Sequence, residues 1–155
     1  MAYDSSYVRL DYPGGDLPIE RGACTDVVVR ALRDQGEDLQ LLVHEDVTSA
    51  LDEYRERCSM TYADTSIDHR RVTTLARYFF RQGMALPVTT AEGDYRPGDI
   101  VSWNLGGATH IGVVSTQLVP RTQRYEVVHN LDRGAVIEDA LFRWEITGHF
   151  RYFAD

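Results

Sequence analysis

The sequence predicts an α+β fold in which N-terminal helices pack on a C-terminal antiparallel sheet. Up to about residue 82, apolar residues recur at three- and four-residue spacing, which is typical of amphipathic helices. From about residue 99, short apolar runs are separated by turn signals, which indicates strands. Helices followed by strands favour the α+β class. The join at 92–98 is short and turn-like, so we expect one domain over 1–155.

The element boundaries follow from caps, breakers and periodicity. The predicted helices begin near Cys24 and end before Gly36, cover about 39–57, and run over about 72–82. The predicted strands cover 99–104, 109–115, 124–130, 135–141 and 146–153. The strands at 109–115 and 124–130 look like a hairpin pair.

Composition and charge narrow the function classes. The chain has 155 residues, with 16 Lys plus Arg against 24 Asp plus Glu, for a formal net charge of −8. A surface of that sign repels a nucleic-acid backbone, so nucleic acid is discounted as a partner. No run of 18 apolar residues predicts a membrane span. The first four residues lack signal-peptide character, so we expect a chain that works where it is made, has lost a leader, or is exported by other machinery.

Cys24 is the candidate nucleophile. It lies where a loop becomes a helix, and the N–H groups and dipole of a first helical turn stabilise a thiolate. The alternative is a small buried apolar residue, the usual state of a free cysteine. The second cysteine, Cys58, is interpreted as incidental, and the pair does not form a disulfide-scaffold pattern.

A thiol nucleophile needs a base, and His110 at the start of a strand is the candidate. If Ser115 pairs with Arg124, His110 lies directly opposite His129, which would orient it. A slip of one residue would instead bring Asn130 or Val128 opposite, so Asn130 is kept as the reserve. A structural role remains the alternative for a single strand histidine.

The order of these residues resembles that of NlpC-type cell-wall peptidases, which are small papain-like enzymes. The matching pieces are 12–15 (YPGG), 97–101 (PGDIV), 110–114 (HIGVV) and 128–129 (VH). The resemblance spans about residues 7 to 153. It implies a papain-like fold and a Cys24, His110 and His129 triad that starts as a thiolate–imidazolium pair. It also implies an oxyanion site at the Cys24 N–H, with the Tyr12 hydroxyl as a second donor.

A more specific resemblance is to an uncharacterised bacterial domain family within that superfamily. Its pieces are 21–28 (RGACTDVV), 42–46 (LVHED), 67–72 (IDHRRV) and 146–149 (ITGH). At the cysteine the chain reads Ala23-Cys24-Thr25-Asp26, where NlpC-type enzymes usually read Asp-Cys-Ser-Gly. This difference affects which substrate is expected more than which reaction is expected, because the candidate nucleophile and base are both present.

Other polar residues are assigned with less specific signals. Arg70 and Arg71 form a candidate cationic lip for a substrate carboxylate, or else a solvated helix start. Successive residues 44–46 (HED) point in different directions on a helix and are interpreted as structural. No histidine spacing typical of zinc occurs, so neither metal nor other cofactor is expected.

The combined expectation is a cysteine peptidase or amidase that cleaves amide bonds in peptidoglycan stem peptides. A periplasmic or secreted location follows, with a cytoplasmic one left open. As a delivered antibacterial toxin domain, the protein would also have a cognate inhibitor protein as a partner. The alternatives are a papain-like acyltransferase and a non-enzymatic peptide-binding module.

Overall fold

A computed structural model of the protein describes residues 1–153, which form four α-helices followed by a six-stranded antiparallel sheet. The helices are α1 (Cys24–Arg33), α2 (Leu39–Ser49), α3 (Leu51–Cys58) and α4 (Val72–Arg81). The strands are β1 (Ala2–Tyr3), β2 (Arg21–Gly22), β3 (Ala85–Leu86), β4 (Ile100–Leu105), β5 (Ala108–Leu118), β6 (Tyr125–Asn130), β7 (Ala135–Glu138) and β8 (Glu145–Phe150). The α+β class is therefore confirmed.

The large sheet has the order β3-β8-β4-β5-β6-β7, and the short strands β1 and β2 pair separately in parallel. Each face of the large sheet carries its own apolar cluster. Cys24 and Ile111 belong to the cluster shared with the helices, whereas Trp103 and Leu141 belong to the cluster on the other face. No helix among residues 1–153 has the length and apolar character that crossing a membrane requires.

The predicted helix over 39–57 is two helices, because the backbone leaves helical geometry at Ala50 (φ −134°, ψ 43°). Just before this break, the Thr48 hydroxyl donates to the carbonyls of His44 and Glu45, and the Ser49 hydroxyl donates to that of Asp46. Hydroxyl side chains that bond back to the preceding turn compete with the helical pattern and bend helices. The apolar periodicity of the sequence continues across Ala50, so the periodicity did not reveal the break between the two helices.

The assumed register of the β5–β6 hairpin is wrong by two residues. His129 lies opposite Gly112, and the strands shift register again between Val114 and Leu118. The predicted strand over 135–141 also ends early, at Glu138. Because side chains alternate with a period of two, a slip of two residues keeps His110 and His129 on one face, now as diagonal neighbours.

Candidate active site

Cys24 is the first residue of α1, as predicted, and is 8% exposed. The preceding loop ends at Ala23, whose N–H donates to the Asp26 side chain at 2.7 Å and so fixes the start of the helix. Both Cys24 and Cys58 are free thiols. The Cys24 sulfur thus lies where the first N–H groups of the helix are unpaired.

The protonation of the Cys24 thiol is set by two opposing effects. Burial raises its pKa, and this is the larger effect. The backbone N–H groups of Ile111, Thr25 and Cys24 itself face the sulfur and lower the pKa, but the net shift is upward. In this structure Cys24 is therefore a neutral thiol at pH 7, although the three nearby backbone N–H groups would favour negative charge.

His110 and His129 are joined by a hydrogen bond of 2.8 Å between Nε2 of His110 and Nδ1 of His129. Both rings are 1% exposed. Gly112 lies directly opposite His129, and a Cβ there would be 3.1 Å from the His129 Cβ and 3.2 Å from the Trp103 ring. The missing side chain leaves the space in which the His129 ring meets His110 diagonally.

Two tryptophans enclose this histidine pair. The Trp103 ring stacks on His110 with centroids 5.4 Å apart, and Trp144 contacts both imidazoles edge-on at 5.6 and 5.9 Å. Burial, and then the neighbouring His129, lower the pKa of His110 to about 4. His110 is therefore a neutral imidazole at pH 7.

Cys24 and His110 meet the same short stretch of β5 from different sides. The Cys24 sulfur faces the N–H of Ile111, the residue after His110, while the His110 ring leaves the opposite face of the strand toward Trp103. No hydrogen bond joins Sγ to the ring within residues 1–153. The structure therefore shows no thiolate–imidazolium pair between these two residues, and burial favours the neutral form of both groups.

The hydrogen-bonded line continues beyond His129. Its Nε2 atom lies 2.8 Å from Oε1 of Glu138, and that same oxygen accepts from the Arg143 guanidinium at 3.0 Å. The hydrogen bond from His129 is the largest effect on the pKa of Glu138 and lowers it, burial opposes this effect, and Arg143 lowers the pKa further. Glu138 is thus an ionised carboxylate at neutral pH.

Two predicted substrate-binding residues lie elsewhere. Asn130 is fully buried on the other face of β6, where its amide donates to the Gly22 carbonyl at 2.9 Å, so it does not contact His110. The Tyr12 ring packs edge-on against His44 of α2 at 5.1 Å, and no hydrogen bond within residues 1–153 links it to Cys24. The third position beside His110 is occupied by His129.

Arg70 does not form the predicted cationic lip, because its side chain is buried. For Arg71 the role in substrate binding stays a prediction. The Arg70 side chain is 1% exposed and binds Asp26 at 3.1 Å, and it also donates to the Ser6 and Asp4 carbonyls. Its guanidinium therefore ties the N-terminal segment to α1. Arg71 is exposed beside it and lines a surface cavity of about 270 Å³.

A groove of about 590 Å³ lies between α4 and the helix-side face of the sheet. Thr109, which precedes His110, and Val72, which packs in the same cluster as Cys24, are among its lining residues. Its charged lining residues are Arg57 and Arg77, with no carboxylate among them. The Arg77 guanidinium also lies 3.7 Å from a Glu53 carboxylate oxygen, which balances part of this positive charge.

Sequence comparison places this geometry in a family. The model of a family described as "Domain of unknown function (DUF1287)" matches residues 1–152. The chain belongs to this family. It is also 50% identical over 154 residues to a protein of Escherichia coli (strain K12) named "Uncharacterized protein YijF", covering 99% of this chain and 75% of that protein. The predicted membership of an uncharacterised bacterial domain family is therefore confirmed.

Glu138 and Arg143 are the parts of this DUF1287 site that sequence reasoning did not find. Glu138 is a diagonal neighbour of His129, which lies opposite Val136. The same alternation that links His110 to His129 would have predicted it, had the register of β7 been known. Within residues 1–153 of this DUF1287 chain, no three His, Cys, Asp or Glu side chains are grouped to hold a metal ion.

Proposed function

We propose that this DUF1287 domain is a papain-like, NlpC-type cysteine amidase or peptidase that hydrolyses amide bonds in peptidoglycan stem peptides. The observation that carries the proposal is the arrangement at β5. There a helix-start cysteine faces the N–H of the residue next to His110, and His110 is held by His129 at 2.8 Å. Nucleophile, base and orienting residue are the three parts that thiol-based acyl transfer needs.

The neutral state of both groups determines the first step. His110 takes the proton of the Cys24 thiol as Sγ attacks the amide carbonyl carbon, so the thiolate forms only during the reaction. The Nδ1 atom of His110 has no hydrogen bond within residues 1–153, so it is the nitrogen that would take this proton once the ring, which leaves the face of β5 opposite Cys24, turns toward the thiol. In free enzymes such catalytic contacts are often long and tighten only with substrate bound.

The remaining steps follow from acyl-transfer chemistry. The carbonyl oxygen gains negative charge, and the N–H groups that face the Cys24 sulfur are the donors placed to stabilise it. His110 then gives its proton to the leaving amine as the C–N bond breaks, which leaves a thioester on Cys24. Water attacks the thioester, His110 takes its proton, and the products are a carboxylate and the restored thiol.

The groove between α4 and the sheet supports a substrate of peptidic and anionic character. Its walls combine apolar side chains such as Phe80 and Val88 with the hydroxyls of Ser102, Thr109 and Thr147. Stem peptides carry free carboxylates, and guanidinium groups bind carboxylates well. Arg57 and Arg77 therefore replace Arg70 as candidate carboxylate ligands. Such a substrate implies action in the periplasm or outside the cell.

The test compares wild-type protein with Cys24→Ala on purified cell-wall sacculi, followed by chromatography and mass spectrometry of the products. We expect new amine and carboxyl ends from the wild type and a loss of at least about 10³-fold in the variant. Cys58→Ala is the matched control, because Cys58 lies at the end of α3 with its sulfur toward the Thr73 carbonyl. Identical products from wild type and Cys24→Ala would contradict the proposal.

A second candidate, acyl transfer to an acceptor other than water, is favoured by the apolar part of the groove. Val72, Ala76, Phe80 and Val88 line it, and an acyl chain could lie along them. Intact-mass analysis after incubation with short acyl thioesters distinguishes the two. A Cys24 acyl adduct that resists water but passes to an added amine would favour transfer over hydrolysis.

A further inference from the structure

The His110–His129 pair ends on a charged group that has no assigned role, the Glu138 carboxylate. His110, His129 and Glu138 lie on the adjacent strands β5, β6 and β7, each a diagonal neighbour of the next on one face of the sheet. Two hydrogen bonds of 2.8 Å join them in a line. The charged residues around its outer end are Glu138, Arg143, Asp132 and Arg133, which line one small cavity with His129.

We propose that Glu138 is a positioning residue that fixes the tautomers of both histidines and leaves Nδ1 of His110 as the free base. An ionised carboxylate can only accept a hydrogen bond, so the Nε2 atom of His129 must donate to it. In a neutral ring, Nδ1 of His129 must then accept, and Nε2 of His110 must donate to it. The lone pair of a neutral His110 is therefore on Nδ1.

Arg143 holds this arrangement at its outer end. Its guanidinium donates to the same Glu138 oxygen that faces His129, and it also lies over the Trp144 ring at 5.4 Å. Arg143 thus contacts both Trp144, which packs against the two imidazoles, and Glu138, which orients them. When His110 takes the thiol proton, the Glu138 charge two hydrogen bonds away stabilises the resulting imidazolium.

The catalytic part of this inference rests on the proposed function, whereas the tautomer part does not. Long-range ¹H–¹⁵N spectra of the imidazole rings at pH 8 read the tautomers without any substrate. We expect both His110 and His129 as Nε2–H tautomers in the wild type. In Glu138→Leu the acceptor is lost, and both rings should show a mixture with a substantial Nδ1–H fraction.

Asp139→Leu is the matched control, because Asp139 is the adjacent carboxylate but binds Arg124. It should leave both tautomers unchanged. A wild-type His129 in the Nδ1–H form, or spectra of Glu138→Leu identical to those of the wild type, would overturn the inference.

Hydrolysis provides the second readout. Since a general base contributes on the order of 10²–10⁴-fold, Glu138→Leu should lower kcat by at least about tenfold with little change in KM. Its effect should be smaller on the acid side of the pH profile, because loss of the Glu138 charge lowers the pKa of His110 and so keeps more of the base neutral there. Tautomers that change without any wild-type cleavage would refute the proposed function and keep the positioning role. Wild-type cleavage with an unchanged kcat in Glu138→Leu would keep the proposed function and refute the positioning role.

Discussion

The protonation state of Cys24 differs from the one expected for a cysteine at the start of a helix. A helix-start cysteine is expected to be an activated thiolate, yet burial outweighs the three facing N–H groups and raises its pKa. The helix start supplies donors for negative charge, but the buried surroundings favour the neutral thiol. The proposed function therefore relies on His110 as a base and not on a preformed ion pair.

This assignment predicts the pH dependence of Cys24 alkylation. The thiolate is the reactive form, so a raised pKa means that the iodoacetamide rate of the native protein keeps rising above pH 9. The measurement uses Cys58→Ala protein, so that Cys24 is the one thiol present. A rate that is already constant below pH 7 would instead demonstrate a preformed thiolate–imidazolium pair.

At the scale of elements, the start of α1 is held by a buried ion pair that the sequence pattern presented as a surface feature. The side chains of Asp26 and Arg70 are 2% and 1% exposed. The backbone carbonyl of Arg70 also accepts a hydrogen bond of 2.9 Å from the Thr25 hydroxyl. These contacts join α1, the short 3₁₀ helix Asp68–Arg70 and the N-terminal segment around Cys24. Cys24 is thus positioned by residues distant in sequence.

The neighbours Arg70 and Arg71 give a matched pair of substitutions. Arg70→Met leaves Asp26 buried without its partner, which should lower the free energy of unfolding by about 3–5 kcal/mol. Arg71→Met removes an exposed charge and should change it by less than about 0.5 kcal/mol. Urea denaturation of both variants checks this, and equal effects would show that the Arg70 ion pair is not structural.

The hairpin shows why a candidate site can survive an error in register. Local patterning placed β5 and β6 correctly, but the turn that pairs them could not be derived from spacing. A two-residue slip preserves the face on which each side chain lies, so His110 and His129 still meet. Glu138 was not predicted, because its place beside His129 depends on how a third strand, β7, pairs with β6.

For the whole molecule, buried histidines make stability depend on pH. The pKa values of His110 and His69 are about 4 in the folded protein, lowered mainly by burial from 6.5. Between these values the unfolded chain binds more protons, so folding is favoured fully above pH 6.5 and less as the pH falls toward 4. Each ring contributes at most roughly 3 kcal/mol to this loss.

The expected result is a free energy of unfolding that decreases from pH 7.5 to 4.5, measured by urea denaturation. His69→Phe should reduce the slope, because one of the two rings no longer takes up a proton on unfolding. Ionised carboxylates such as Asp99, whose pKa is about 2, lose their contribution only below this window. A slope that is flat over the window, or unchanged in His69→Phe, would contradict the role of these rings.

The sequence by itself determined the α+β class, the start of α1 at Cys24, the strands of the hairpin and the family, because these depend on local periodicity and on contiguous motifs. Only the tertiary structure decided that Asn130 faces away from His110, that Arg70 is buried, and that Glu138 and Arg143 complete the line from His129. It also decided that Cys24 and His110 are neutral. The physical reason is that register, burial and desolvation depend on residues far apart in the chain, which local patterns do not encode.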